Sequence, residues 1–372
     1  MMKLLILASF CFCISGLSLE AEDAPSRDDV LQMVYHEQFD QLEKLTDDLR
    51  SQKLGFYEGR SQLCVVYGYL SDFSNDADDK EWQAFADKLQ AWAKDYPQSP
   101  APLISLGEFY VSWAWKARGS GYADTVTEEG SRMMNERLAK ARENLETAEQ
   151  LPVKDPGVYE GLLQVALGQG WGRGDMEAVF QKGIQIEPND EQLYESKAYF
   201  LLPRWYGLRG EWETFAAESA DARGGDEGDI LYMCIARSQA WSEGGDFFKK
   251  TSISYARMQR GFEASLRRNP DYLWDENSYC YFACIVGDRD TAQKLFQKIN
   301  GRWEKSVWDS EDYFDQCQDW ALADSDHPVF PGSTSPFPSM AGIESIAIKV
   351  GIAWLVLVVI IAAIIWSRSR KS

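Results

Sequence analysis

The sequence predicts an all-α chain, a superhelix of helix-turn-helix units followed by one C-terminal transmembrane helix. Three observations carry that expectation. Apolar residues recur at steps of three and four between charged ones over segments 81–96, 134–151, 176–186, 255–268 and 291–299, while few stretches alternate with period two. Three of these segments end alike, with an apolar anchor eight positions before a proline: Leu89 before Pro97, Phe180 before Pro188 and Phe262 before Pro270. At the far end, the uncharged apolar run 350–366 is followed by Arg368, Arg370 and Lys371.

Both ends read as export and anchoring signals. Lys3 precedes the apolar stretch 4–14, and the small residues Ser15, Gly16, Ser18 and Ala21 follow, the layout of a secretory signal peptide over 1–21. An uncleaved N-terminal anchor is the alternative. Bulky Phe10 and Phe12 before Cys11 and Cys13 argue against lipid attachment at those cysteines. The apolar run of about 17 residues, at ~1.5 Å each, reaches roughly 25 Å, close to a ~30 Å bilayer core if Lys349 and Arg368 snorkel outward. A single-pass span over 345–367 is therefore expected, with the basic tail 368–372 in the cytoplasm and everything before the span exported. A Pro/Ser-rich linker, 324–344, separates this span from the helical region and resists regular structure. Spacer, apolar run and basic tail also resemble bacterial C-terminal sorting signals, but residues 330–334 do not spell the sortase motif, so retention is expected.

Composition narrows the function classes. With 58 acidic against 38 basic residues the net charge is −20, which argues against nucleic acid and against lying on an anionic membrane surface. Only His36 and His327 are available for a histidine zinc site or a catalytic triad. Beyond the signal peptide lie Cys64, Cys234, Cys280, Cys284 and Cys317, an odd and scattered set that reads as buried apolar side chains rather than a disulfide framework. No cofactor and no metal is implied.

Extending the register gives anchors at Leu89, Leu145, Phe180, Phe215, Phe262 and Phe296, and three of the five intervals fall within a residue of the ~34-residue tetratricopeptide period. Leu103, Leu106, Gly107 and Tyr110 resemble the W-x-x-L-G-x-x-Y pattern of that repeat, and Ala292 with Phe296 its later A-x-x-x-F pair. The chain is thus similar to tetratricopeptide proteins over 28–323, with the pattern weakest before Leu70. It departs from them at Lys197, where a core leucine is expected, and in two insertions, 117–134 and 242–254, read as long loops. Trp115, Lys116, Ala117, Arg118 and Gly119, Thr125 and Val126, and the run Leu202, Pro203, Arg204, Trp205, Tyr206 and Gly207 also resemble an uncharacterised bacterial family related to tetratricopeptide proteins. That resemblance implies a helical-repeat fold and no particular activity.

Catalytic motifs are not found. The glycine-rich segment 168–175 follows no predicted strand and lacks a Walker lysine, so it reads as a turn between helices. Arg173, Gly174 and Asp175 spell an adhesion tripeptide by chance, and Asp72, Asp76, Asp78 and Asp79 lack the glycine and terminal glutamate of an EF-hand loop. Candidate binding residues are Trp115 with Arg118 and Trp205 with Arg204, because arginine beside an indole suits carboxylates and extended peptides; an internal contact between hairpins would use the same residues. The expectation is a membrane-anchored scaffold that binds a protein or peptide through its repeat face. The alternative is an extracytoplasmic enzyme or carbohydrate-binding module, marked by carboxylates and tryptophans converging in one pocket.

Overall fold

The computed structural model describes residues 26–52, 61–74, 76–119, 125–243, 246–308 and 310–323. The expected signal peptide, linker, span and tail lie outside the described residues, and no helix among those described is long and apolar enough to cross a membrane. Among them the chain forms α1 (Arg27–Tyr35), α2 (Phe39–Gln52), α3 (Gln62–Ser71), α4 (Asp79–Asp95), α5 (Pro100–Arg118), α6 (Glu128–Glu149), α7 (Gly157–Gln169), α8 (Arg173–Ile186) and α9 (Glu191–Phe200). It continues through α10 (Glu211–Arg223), α11 (Gly225–Glu243), α12 (Phe247–Lys250), α13 (Tyr255–Arg268), α14 (Leu273–Val286), α15 (Arg289–Ile299), α16 (Lys305–Trp308) and α17 (Glu311–Leu322), with no strand. The fold is all-α.

The recurring prolines mark one joint used three times. Helices α4, α8 and α13 each stop two residues before a proline, and the residue before it (Tyr96, Glu187, Asn269) leaves the helical region because the proline ring crowds it. A backbone bond then closes the same turn each time, from Ser99 to Tyr96, from Asp190 to Glu187 and from Tyr272 to Asn269. The next helix starts at once. Ser99 caps α5 with Pro100 in its first turn, and Asp190 caps α9 through the amide of Gln192. Upstream, Asp78 and Glu81 form a reciprocal capping box on α4, worth about 1 kcal/mol.

These joints fold the chain into two layers. Helices α3, α5, α7, α9 and α11 pack each against the next, and α4, α6, α8, α10 and α13 pack onto them. Of the predicted anchors, Leu89, Leu145, Phe180, Phe262 and Phe296 are buried and Phe215 is half-buried. Gly107 explains itself by contact: a Cβ there would lie 2.5 Å from Cγ of Leu145, so only glycine lets α5 and α6 approach this closely. Lys197 keeps a charge in the expected leucine position by laying its ammonium 4.1 and 4.5 Å from the ring centroids of Phe180 and Phe215, with Glu177 at 2.6 Å.

Both expected long loops are shorter than the sequence implied. Helix α5 runs on to Arg118, where Gly119 with φ of 78° ends it, and α6 already begins at Glu128 on the Thr127 cap, so half of 117–134 is helical. In 242–254 the single-turn α12 drops Phe247 into the core, fully buried. The adhesion tripeptide lies in the first turn of α8, where Arg173 pairs with Glu211 of α10. Asp79 accepts from Trp113 Nε1 at 3.0 Å and pairs with Arg137 at 3.1 Å, which gives part of the aspartate run a structural role. Cys234, Cys280, Cys284 and Cys317 are buried free thiols, whereas Cys64 is only half-buried.

Candidate functional site

The inner helices present one stripe each to a shared face. On α3 the stripe is Cys64, Gly68 and Ser71; on α5 it is Glu108, Val111, Ser112 and Trp115; on α7, Glu160, Gln164 and Leu167; on α9, Gln192, Glu195, Ser196 and Tyr199. Steps of three, four and seven place such residues one above another along a helix. Two adjoining pockets of about 290 and 320 Å³ open on this face and share Trp115, Gln164, Gln192 and Ser196. Together they make a groove running across α3, α5, α7, α9 and α11.

Some of its hydrogen bonds are long. Gln164 and Gln192 both donate to Ser196 Oγ at 3.4 Å, and Gln239 donates to the Glu195 carbonyl at 3.3 Å. Bonds this long give up little when exchanged for a ligand's amide groups. At the α3 end the Cys64 thiol donates to Glu160 at 3.1 Å. Burial first, and then nearby Glu108, push the Glu160 carboxyl up to about 7, while bonds from Asp190 and Cys64 pull the other way. Burial and the neighbouring Glu160 likewise raise Asp190, the α9 cap, well above the usual carboxylate range. The two carboxyls hydrogen-bond to each other and titrate as a coupled pair.

The predicted arginine–tryptophan residues lie at the rim. Trp115 of α5 and Trp205 of the α9–α10 connection meet edge to face with centroids 5.8 Å apart, and the Arg118 guanidinium sits 5.6 and 5.8 Å from their rings. Residues from two distant parts of the sequence are thus brought together. Arg204 goes elsewhere: exposed, its guanidinium lies 5.0 Å from the Tyr199 ring, although Tyr199 in turn contacts Trp205 at 6.0 Å. The connection is held in place by Tyr206, whose hydroxyl donates to the Leu167 carbonyl at 3.1 Å. It is also held by Gly207, where any Cβ would fall 1.8 Å from the Leu201 carbonyl oxygen. Beyond Trp115 a third recess is lined by Phe73, Trp82 and Lys116.

Sequence reasoning found this rim and missed the groove floor. Glu108, Glu160, Gln164, Gln192 and Ser196 belong to no motif. Their one signal is a polar residue repeated at i and i+4. Among the described residues no group of three or more histidines, cysteines or carboxylates is placed to hold a metal ion. No family model, curated protein or solved structure matches this chain, so its architecture rests on its own geometry.

Proposed function

We propose that this protein is a tetratricopeptide-like scaffold, held on the outer side of a membrane by its C-terminal span, that binds an extended segment of a partner protein in the inner-face groove. One observation carries the reading: the two adjoining pockets cross successive inner helices and offer amides, hydroxyls and half-buried aromatic walls in alternation. Such a lining suits a peptide backbone, which needs hydrogen-bond partners at regular intervals and a place for alternate side chains. Trp115, Trp205 and Arg118 close one side of the groove, where an indole pair and a guanidinium can clamp a passing side chain or carboxylate. Arg204, on the ring of Tyr199, borders the same end.

The test is selection from a randomised dodecapeptide library on the full-length chain, followed by affinity measurement on the Trp115→Ala and Gln192→Ala variants. A groove-bound peptide should lose about 10-fold or more with each variant, the scale of removing an interface anchor. Selected peptides that bind both variants as tightly as the parent would rule the groove out.

A second reading has its own support, because Glu108, Glu160 and Trp115 converge in one pocket and the Glu160 carboxyl, at about 7, is protonated enough to act as a general acid. An extracytoplasmic glycoside hydrolase or sugar-binding module would use those groups. Hydrolysis of a panel of aryl glycosides, abolished by Glu160→Gln, would establish it in place of the scaffold.

A further inference from the structure

We infer that Cys284 of α14 and Cys317 of α17 are a modification site, a thiol pair that exchanges with a carrier disulfide and closes into a bond between the last described helix and the array. The inference takes its oxidising compartment from the exported placement proposed above and nothing from the groove. Its basis is a cluster that the scatter of cysteines along the chain conceals. Cys280, Cys284 and Cys317 are all fully buried, and Cys284 lies between the other two, hydrogen-bonded to both. Ring contacts set the same register without the sulfurs. Tyr281 of α14 and Tyr313 of α17 meet with centroids 6.4 Å apart, and Trp308 touches both, at 5.7 and 6.1 Å. Cys284 and Cys317 follow those tyrosines by three and four residues, so the two thiols stand one turn further along the same seam.

Geometry selects the partner. Cys280 and Cys284 are four apart on one helix, which spaces Cα atoms near the upper limit for a bridge and aligns the side chains poorly. Cys280 is also turned to α15, its thiol donating to the Ala292 carbonyl at 3.8 Å. Cys284 and Cys317 come from different helices, so rotation of their side chains can bring the sulfurs together. In the exchange the Cys317 thiol gives up its proton and attacks one sulfur of the carrier disulfide, releasing one carrier thiol. The Cys284 thiolate then attacks the mixed disulfide at the Cys317 sulfur and releases the second. Two protein thiols are oxidised, one carrier disulfide is reduced to two thiols, and the two protons end on those thiols. Burial pushes the Cys284 thiol up, and the bond with Cys284, then burial, does the same for Cys317, so the docked pair is a poor nucleophile and the exchange belongs to the state in which α17 has yet to pack. In sequence α17 ends just before the expected linker, which puts the bond where the anchor meets the helical domain.

The experiment oxidises the full-length chain, purified reduced in detergent, with oxidised glutathione in sub-denaturing urea. After the urea is removed, the free thiols are alkylated and the chain is digested without reduction for mass mapping. One link should form, Cys284 to Cys317, with Cys280 alkylated. The oxidised chain should melt about 5–10 °C above the reduced one, the scale of closing a loop of about 30 residues in a domain of this size. Cys317→Ala should abolish both the link and the shift, and Cys280→Ala should keep both. The mapping on the parent chain stands whether or not the variants fold. Three alkylated thiols after oxidation, glutathione adducts alone, or a link between any other two cysteines would overturn the inference, whatever the groove binds. The same mapping on cells that export the protein, quenched with acid, should find the link already made. A link that forms with glutathione but is missing from those cells would uphold the pairing and overturn the exported placement.

Discussion

Replacing Glu160 by glutamine should change how the stability of this protein depends on pH. The carboxyl is raised from its ordinary 4.5 to about 7, chiefly by burial. Between those values the folded chain holds a proton that the unfolded chain has released, so stability is fully present below about pH 4.5 and is lost as pH rises through about 7. At about 1.4 kcal/mol per pKa unit the loss from this one group is about 3 kcal/mol. Glu191, whose buried carboxyl is also raised to about 7 and which accepts from the Cys234 thiol at 3.4 Å, adds a similar amount in the same window. Asp190, raised as well, adds to the slope and loses its ionisable neighbour in the variant. Lowered carboxylates such as Glu177, Glu211 and Asp229 act with the opposite sign, but only as pH falls below about 4.5. Near pH 6 the parent chain should thus lose on the order of 2 kcal/mol per pH unit, and Glu160→Gln should roughly halve that slope. Glutamine keeps an acceptor for the Cys64 thiol, so the comparison isolates the charge. Urea denaturation followed by circular dichroism at pH 5, 6, 7 and 8, with the denaturant slope checked for constancy, provides the measurement. Parallel pH profiles for parent and variant, or stability rising with pH in the parent, would refute the reasoning.

Three further substitutions test the packing. Gly107→Ala should cost about 1–3 kcal/mol, because the new methyl would overlap Leu145 between α5 and α6, and Leu145→Val in the same chain should return part of that loss in denaturation midpoint. Arg237→Leu should cost about 3–5 kcal/mol, since it strands Asp275, now bonded at 2.6 Å with both side chains buried; the double variant with Asp275→Leu should recover more than half. Lys197→Leu should shift stability by less than about 1 kcal/mol, because desolvation of the lysine offsets its contacts with Glu177, Phe180 and Phe215. A loss above about 2 kcal/mol would show that those contacts outweigh the desolvation.

The layer that was legible in the sequence is the outer one. Segments 81–96, 134–151, 176–186, 255–268 and 291–299 coincide with or fall within α4, α6, α8, α13 and α15, apart from one or two residues at their ends, and α4, α6, α8 and α13 pack on the inner row. Such helices bury one face and wet the other, which is what a period of 3.6 records. Helices α3, α7 and α11 are contacted on several sides by other helices, so their sequences read as apolar runs with little periodic contrast. Only α5 was marked, by the motif residues Leu106, Gly107 and Tyr110, each of which faces the core. Loop lengths were overestimated for a related reason: Ala117, Arg118 and residues 128–132 are polar or small enough to read as loop, yet a glycine stop and a threonine cap extend both flanking helices through them.

The candidate site was half visible on the same grounds. Adjacency in sequence suggested Trp115 with Arg118 and Trp205 with Arg204, but adjacency along a chain says little about direction. Arg118 ends up beside both indoles, and Arg204 turns to Tyr199. The groove floor lay in the helices whose pattern was weakest. An inner helix has only a narrow strip left once its neighbours are packed, and any polar group that is not to be stranded must occupy that strip. In sequence, the strip appears as a polar pair four residues apart: Glu108 with Ser112 and Glu160 with Gln164 inside apolar runs, and Gln192 with Ser196 in the more polar α9. Three such pairs on three consecutive inner helices are hard to explain as packing, because each costs apolar contact that a leucine would supply. Their shared exposure to one groove is the reason to look for a ligand there.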